Sequence, residues 1–161
     1  MMIIIEGIVV CFIVLLGCEI GVANGPQGML FLYEKDVKDR VYQSGLISEK
    51  EMIRNAKRFK LIGLGAIMVF LLVAVYGING ARGFWEGFWQ MTAILLVEGI
   101  FDRFFIDWYW VGHTKAWEIQ GTEDLKPYIP KKAWVQKWLL TIVGFPILAA
   151  VLSVIMMFFL K

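Results

Sequence analysis

Two stretches of this chain, residues 61–79 and 138–160, run for 19 and 23 residues without a charged side chain. An α-helix needs about 20 apolar residues to cross the hydrocarbon core of a bilayer, and in water such a run offers solvent no polar face. The whole chain is 59% hydrophobic and 19% charged, and its apolar residues fall in blocks separated by charged stretches. Soluble domains carry about 45–50% apolar and about 25% charged residues more evenly spread. The pattern argues against a soluble enzyme, a disordered chain and a nucleic-acid-binding module. The net charge of +2 is too small to imply a polyanionic partner.

The blocks predict an all-α, polytopic membrane four-helix bundle, one membrane domain over 1–161. Its spans fall near 2–27, 61–79, 84–111 and 135–160. The first block is interrupted by Glu6, Glu19 and Asn24-Gly25-Pro26-Gln27-Gly28, with a kink expected at Pro26. It lacks the basic n-region and small-residue cleavage site of a signal peptide. The third span carries Glu86, Glu98, Asp102, Arg103 and Asp107, so hydropathy alone rates it poorly. Its tryptophans argue for a crossing: Trp85 and Trp89 lie at one end, Trp108 and Trp110 at the other, as interfacial belts do. From Trp89 to Trp108 a helix rises about 28 Å, close to the bilayer's hydrocarbon thickness.

Charge orients the spans. Residues 34–60 carry eight Lys or Arg and residues 113–137 five more, whereas the far side receives only Arg82 and Lys161. By the positive-inside rule the loops 34–60 and 112–134 are cytoplasmic and both termini lie outside, in a cytoplasmic (inner) membrane. Within the first loop, Ser48-Glu49-Lys50-Glu51 is a capping box that starts a helix running into the second span. Leu30, Tyr33, Val37 and Val41 share a helical period ended by Gly45. The loop therefore reads as a cytoplasmic helical hairpin between spans 1 and 2.

The acids of the third span are the feature with chemical content. Glu98 and Asp102 are four residues apart and share a helix face. Arg103 and Asp107 pair with each other, which leaves the two carboxyls without a helical partner. Ionised carboxylates at that depth are costly and mark functional sites by default. Glu19 is expected to join Glu98 and Asp102, with Asn24 or Gln27 nearby. Glu19, Glu98 and Asp102 are thus the candidate ligands of a proton or of Na, Mg, Ca or Mn, since all-oxygen sets suit hard cations. Glu98, Asp102 and His113 are the candidate acid–base groups; Asn24, Gln27, Asp107 and Glu123 are candidates for binding substrate. No haem, flavin or nucleotide motif is present. Cys11 and Cys18 lie seven residues apart on one span, too far for a disulfide, and read as small buried residues.

Tyr128, Trp117, Trp134 and Trp138 read as a lipid-facing aromatic belt. Gly63 and Gly65 read as packing contacts, and Glu6, Arg82 and Glu86 as a small pairing at the outer face. The stripe Gly17, Gly21 and Gly25 allows close helix approach and is the candidate face of a homodimer. The partners expected are the lipid bilayer and a second copy, with no nucleic acid.

Three functions fit these residues. The first is an ion- or proton-linked site that binds or moves a small solute. The second is a membrane-embedded enzyme acting on a lipid or isoprenoid. The third is an accessory subunit whose acids pair with a larger partner, so the sequence leaves enzyme activity open. The stretch Glu98-Gly-Ile-Phe-Asp102-Arg-Phe-Phe-Ile-Asp107-Trp, with Gly121-Thr-Glu-Asp124, Gly25-Pro26 and Phe31-Leu32-Tyr33, resembles a group of uncharacterised small bacterial four-span integral membrane proteins. They share an acidic third helix and a Gly-Thr-Glu loop. The resemblance covers about two-thirds of the chain; it implies a bacterial inner-membrane location and supplies no reaction.

Overall fold

A computed structural model of the chain describes residues 2–160; Met1, which opens the first block, and Lys161, one of the two far-side charges, lie outside the described residues. Helix α1 is Met2–Val22. A 3-10 turn, Pro26–Leu32, leads to α2 at Lys35–Ser44. Helix α3 is Glu49–Ile78 and α5 is Lys131–Phe159. Between them α4 runs over Phe84–Phe101 and continues as Asp102–Val111. The described residues contain no strand, so the all-α class holds. Helices α1, α3 and α5 are each long and apolar enough to cross a membrane.

Helix α4 is not among those three, and its packing explains why its sequence is more polar. It lies between α1 and α5, its principal partners, and also touches α3. A central helix presents less outer surface and can carry polar groups that face its neighbours. The approach of α1 to α4 depends on Gly7, where a β-carbon would come within 2.7 Å of Val97 Cβ. Gly63 and Gly65, expected as packing contacts, instead face open space, because this part of α3 points outward with Leu61, Ile62 and Leu64 exposed. Gly63→Ala is therefore expected to leave stability unchanged or raise it by up to about 1 kcal/mol, the helix-propensity difference, in thermal unfolding in detergent.

The first block does not kink at Pro26; it breaks. Helix α1 ends at Val22 and Gly25 takes φ 105, closing a turn through its N–H to the Val22 carbonyl at 2.8 Å. Only glycine adopts that backbone without strain. The Gly17-Gly21-Gly25 stripe is consequently not one helix face. Gly21 is covered by Met29, whose Sδ would lie 2.3 Å from a β-carbon there, and Gly17 faces Phe59.

Ser48 caps α3 as its sequence implies, accepting the Glu51 N–H at 3.2 Å, and Gly45 ends α2 with φ 72. The reciprocal half of the box is absent: the Glu51 carboxylate faces Arg54 at 3.5 Å. The helix expected over residues 28–44 comes in two pieces, separated at Tyr33 and Glu34. Helix α3 packs chiefly on the Pro26–Leu32 turn, with Phe59 against Phe31.

Two apolar cores result. One lies in the bundle, around Val10, Leu71, Val75, Met91, Ile94 and Ala149. The other forms a lobe at the end where α2 and residues 112–130 meet, around Leu30, Val37, Val41, Trp117, Ile119 and Tyr128. Trp117 and Tyr128 are thus core residues of the lobe, 3% and 6% exposed, and not part of a lipid-facing belt. Tyr33 ties the lobe together by donating its hydroxyl to the Trp117 carbonyl at 2.6 Å.

Candidate functional site

At the lobe end of the bundle α4 and α5 share a network of charges. Arg103 and Asp107 are both buried, with Arg103 Nη1 2.7 Å from Asp107 Oδ2. That approach is a charge contact without the alignment of a hydrogen bond. Lys137 of α5 donates to the other Asp107 oxygen at 2.5 Å. Arg103 also pairs with its neighbour Asp102. Two acids and two bases therefore balance.

This corrects the expectation that Asp102 lacks a helical partner. Residues 102–111 form a π-helix, with i→i+5 hydrogen bonds and a wider turn than the α-helix. Asp102 reaches Arg103 from the adjacent position, and Asp107 reaches it from four residues on. Lys137 is the residue that sequence reasoning missed. It stands immediately before the apolar run 138–160 and was counted only as one of the loop's positive charges. Its adjacency to a helix whose inner end carries Asp107 was the available signal.

Glu98 is buried, 7% exposed, and makes no hydrogen bond or ion pair among the described residues. Glu19 does not join it: Glu19 is exposed on α1, as is Asn24 beyond the helix end. Gln27 is half-buried and donates to the Asn24 carbonyl at 3.1 Å, a bond internal to the turn. No group of three or more His, Cys, Asp and Glu side chains among the described residues is placed to hold a metal ion. Glu19, Glu98 and Asp102 are therefore separate residues, not one ligand set. Cys11 and Cys18 are both buried and free, as expected.

Directly beyond the charge network a cavity of about 470 Å³ opens at the lobe. Its lining includes the buried Asp107, the aromatic residues Trp108, Tyr128 and Trp134, and the polar side chains of His113 and Lys126. His113 is exposed, with Nδ1 2.6 Å from the Trp108 carbonyl. A carbonyl only accepts, so Nδ1 carries the proton, and Nε2 of the neutral ring is an acceptor. Lys126 pairs with Glu118 and lies over the Tyr128 ring.

The Gly121-Thr-Glu-Asp124 stretch is a structural turn that holds this wall. Gly121 takes φ 83, and Arg40 clamps the turn through both Asp124 oxygens at 3.2 Å. Thr122 is fully buried, bonding the Ile119 carbonyl at 2.8 Å and the Tyr128 hydroxyl at 3.0 Å. Glu123 is exposed; the backbone N–H groups of Glu123 itself and of Gly121 hold its carboxyl below the usual carboxylate range. It serves the turn and does not face the cavity. Thr122→Val should cost about 1 kcal/mol by removing a buried hydroxyl's bonds, read as a lowered unfolding midpoint.

Comparison with family models, curated proteins and solved structures returns no match.

At the other end of the bundle the expected pairing of Glu6, Arg82 and Glu86 takes a different form. Glu86 accepts the Arg82 backbone N–H at 2.6 Å, and the Arg82 guanidinium donates to the Ala81 carbonyl at 2.9 Å. Glu6 is buried and accepts instead from Asn79 Nδ2 at 3.0 Å.

Proposed function

We propose that the chain is a four-span protein of a bacterial cytoplasmic membrane whose lobe-end cavity binds the polar head of an amphiphile. The single observation that carries this is the cavity's composition. Apolar and aromatic residues line it together with two polar groups, His113 and the Glu118-paired Lys126, next to a buried charge network that contributes no net charge.

Several features support α4 as the fourth span. Asp102, Arg103, Asp107 and Lys137 neutralise one another, so the cost that argues against burying this helix falls largely on Glu98 alone. Trp85, Trp89 and Trp108 point outward, 66%, 63% and 55% exposed, at the two ends of the helix where interfacial aromatics belong. The basic segments 34–60 and 113–137 favour the cytoplasm for the lobe, which puts the cavity at headgroup level. An amphiphile docked there lays its tail along Trp108 and Trp134 and its head against Lys126.

The observation that favours an enzyme acting on that amphiphile is the free Nε2 of His113 in the cavity lining, an acceptor able to take a proton from a bound head group. The accessory-subunit alternative is weaker, since Asp102 and Asp107 find basic partners within the chain.

Native mass spectrometry of the protein released from mild detergent tests the site. The parent is expected to retain a lipid, and a Lys126→Ala/Trp134→Ala variant to lose it. Equal retention by both, or a bare parent, contradicts the assignment. Turnover is read in the same samples as a mass change of the retained lipid that His113→Ala abolishes.

A further inference from the structure

The opening part of α3, Glu49–Phe59, has two unlike faces. Met52 and Phe59 pack against the lobe core, Phe59 with its ring centroid 5.4 Å from that of Phe31. Asn55 donates its side-chain amide to the Gly28 carbonyl at 3.3 Å. Positions 52, 55, 56 and 59 recur at helical spacing, so these contacts belong to one face of the helix. Lys50, Arg54, Lys57 and Arg58 recur at the same spacing on the opposite face, and all four are exposed.

The cations of that outward face are largely unpaired. Lys35, Arg40, Arg103, Lys126 and Lys137 each meet an acid, whereas Lys50, Lys57, Arg58 and Lys60 form no ion pair among the described residues. Arg54 has Glu51 at 3.5 Å, a contact between exposed groups that is worth little. Five bases against the two acids Glu49 and Glu51 leave residues 49–60 with a net charge of +3. The helix then changes character without a break: Leu61, Ile62 and Leu64 follow, 79%, 69% and 57% exposed. From Lys57 to Leu61 the rise is about 6 Å, the thickness of the headgroup layer on one side of a bilayer.

We infer that the outward face of α3 at Lys50, Arg54, Lys57 and Arg58 is a binding surface for anionic phospholipid. The phosphates lie against the four cations and the acyl chains along Leu61 and Leu64. Successive cations on this face are separated by a rise of at most about 6 Å, inside the Debye length of about 8 Å at physiological salt, so they attract one anionic head together. Arg54 and Arg58 add the planar donor pair that fits a phosphate. Continuity with the exposed leucines favours a lipid over a soluble polyanion, because the same helix offers the acyl chains a surface where the phosphates end. The inference rests on α3 crossing the bilayer with this end at headgroup level, and it is independent of the lobe-end cavity.

The test offers the full chain in mild detergent equal amounts of phosphatidylglycerol and phosphatidylcholine of matched chain length, and counts bound lipids by native mass spectrometry. The parent is expected to hold the anionic lipid in roughly tenfold excess, and Lys57→Gln/Arg58→Gln to bring the ratio close to one. Lys50→Gln/Arg54→Gln should lower it as well. Lys131→Gln/Lys132→Gln removes the same charge at the exposed start of α5 and should keep the parent ratio. Matching circular-dichroism profiles establish that the variants fold, and if one α3 pair does not, the other carries the test. A parent without preference overturns the inference, as does a preference that survives in a folded α3 variant. An equal loss in Lys131→Gln/Lys132→Gln would assign the preference to overall charge and overturn it too. If the preference instead vanishes in Lys126→Ala/Trp134→Ala, the anionic lipid sits in the cavity and not on α3.

Discussion

Asp107→Ala is expected to destabilise the protein by up to about 3–5 kcal/mol, because it leaves the buried Arg103 with Asp102 as its one counter-charge and frees Lys137 as well. Arg103 is only 8% exposed in its side chain, so water cannot replace the lost carboxylate without opening the α4–α5 contact. Lys137→Ala should cost far less, about 1 kcal/mol, since the lysine side chain is 38% exposed and Asp107 keeps Arg103. The measurement is denaturant or thermal unfolding of the two detergent-solubilised variants, followed by near-ultraviolet circular dichroism. The asymmetry is the diagnostic. Equal losses would mean that Asp107 is held by Lys137 alone, and the network as described would be wrong.

Gly7→Leu is expected to cost about 3 kcal/mol, the upper part of the range for overpacking. The clash is with Val97 Cβ at 2.7 Å, an atom fixed to the backbone, so no rotamer change relieves it and α1 must move away from α4. Gly87 and Gly21 differ in kind: their nearest neighbours are the Tyr76 hydroxyl and the Met29 thioether, ends of side chains that can turn aside. Gly87→Ala and Gly21→Ala should therefore cost less than Gly7→Ala. A Gly7→Leu variant as stable as the parent would mean that α1 and α4 are not in the contact described.

The sequence states some of this structure openly. Uncharged runs at 61–79 and 138–160 determine two long apolar helices, and Ser48 and Gly45 mark helix ends where they are found. These signals are local, so they survive in one dimension. The break after Val22 was harder to see, because Pro26 suggests a kink while the deciding residue is Gly25, whose positive φ turns the chain. The charge network was half legible. Arg103 and Asp107 pair as their spacing implies, but Asp102 joins them from the position next to Arg103, a contact that reasoning by i,i+4 spacing passes over. Lys137 comes from another helix, and partners across helices leave no periodic trace. For the same reason the expected meeting of Glu19 with Glu98 does not form: Glu19 lies exposed on α1. Trp117 and Tyr128 illustrate a further ambiguity: interfacial aromatics and the core of a small lobe have the same composition.

Whether α4 crosses the bilayer underlies the headgroup-level cavity. A single cysteine at Glu86 or at Gln120, in a Cys11→Ala/Cys18→Ala background, tests it by labelling with a membrane-impermeant maleimide in intact bacterial cells and in lysed ones. If α4 crosses with the lobe inside, the cysteine at 86 reacts in intact cells and the cysteine at 120 only after lysis. If both react under the same condition, α4 lies on one side of the membrane and the four-span account fails.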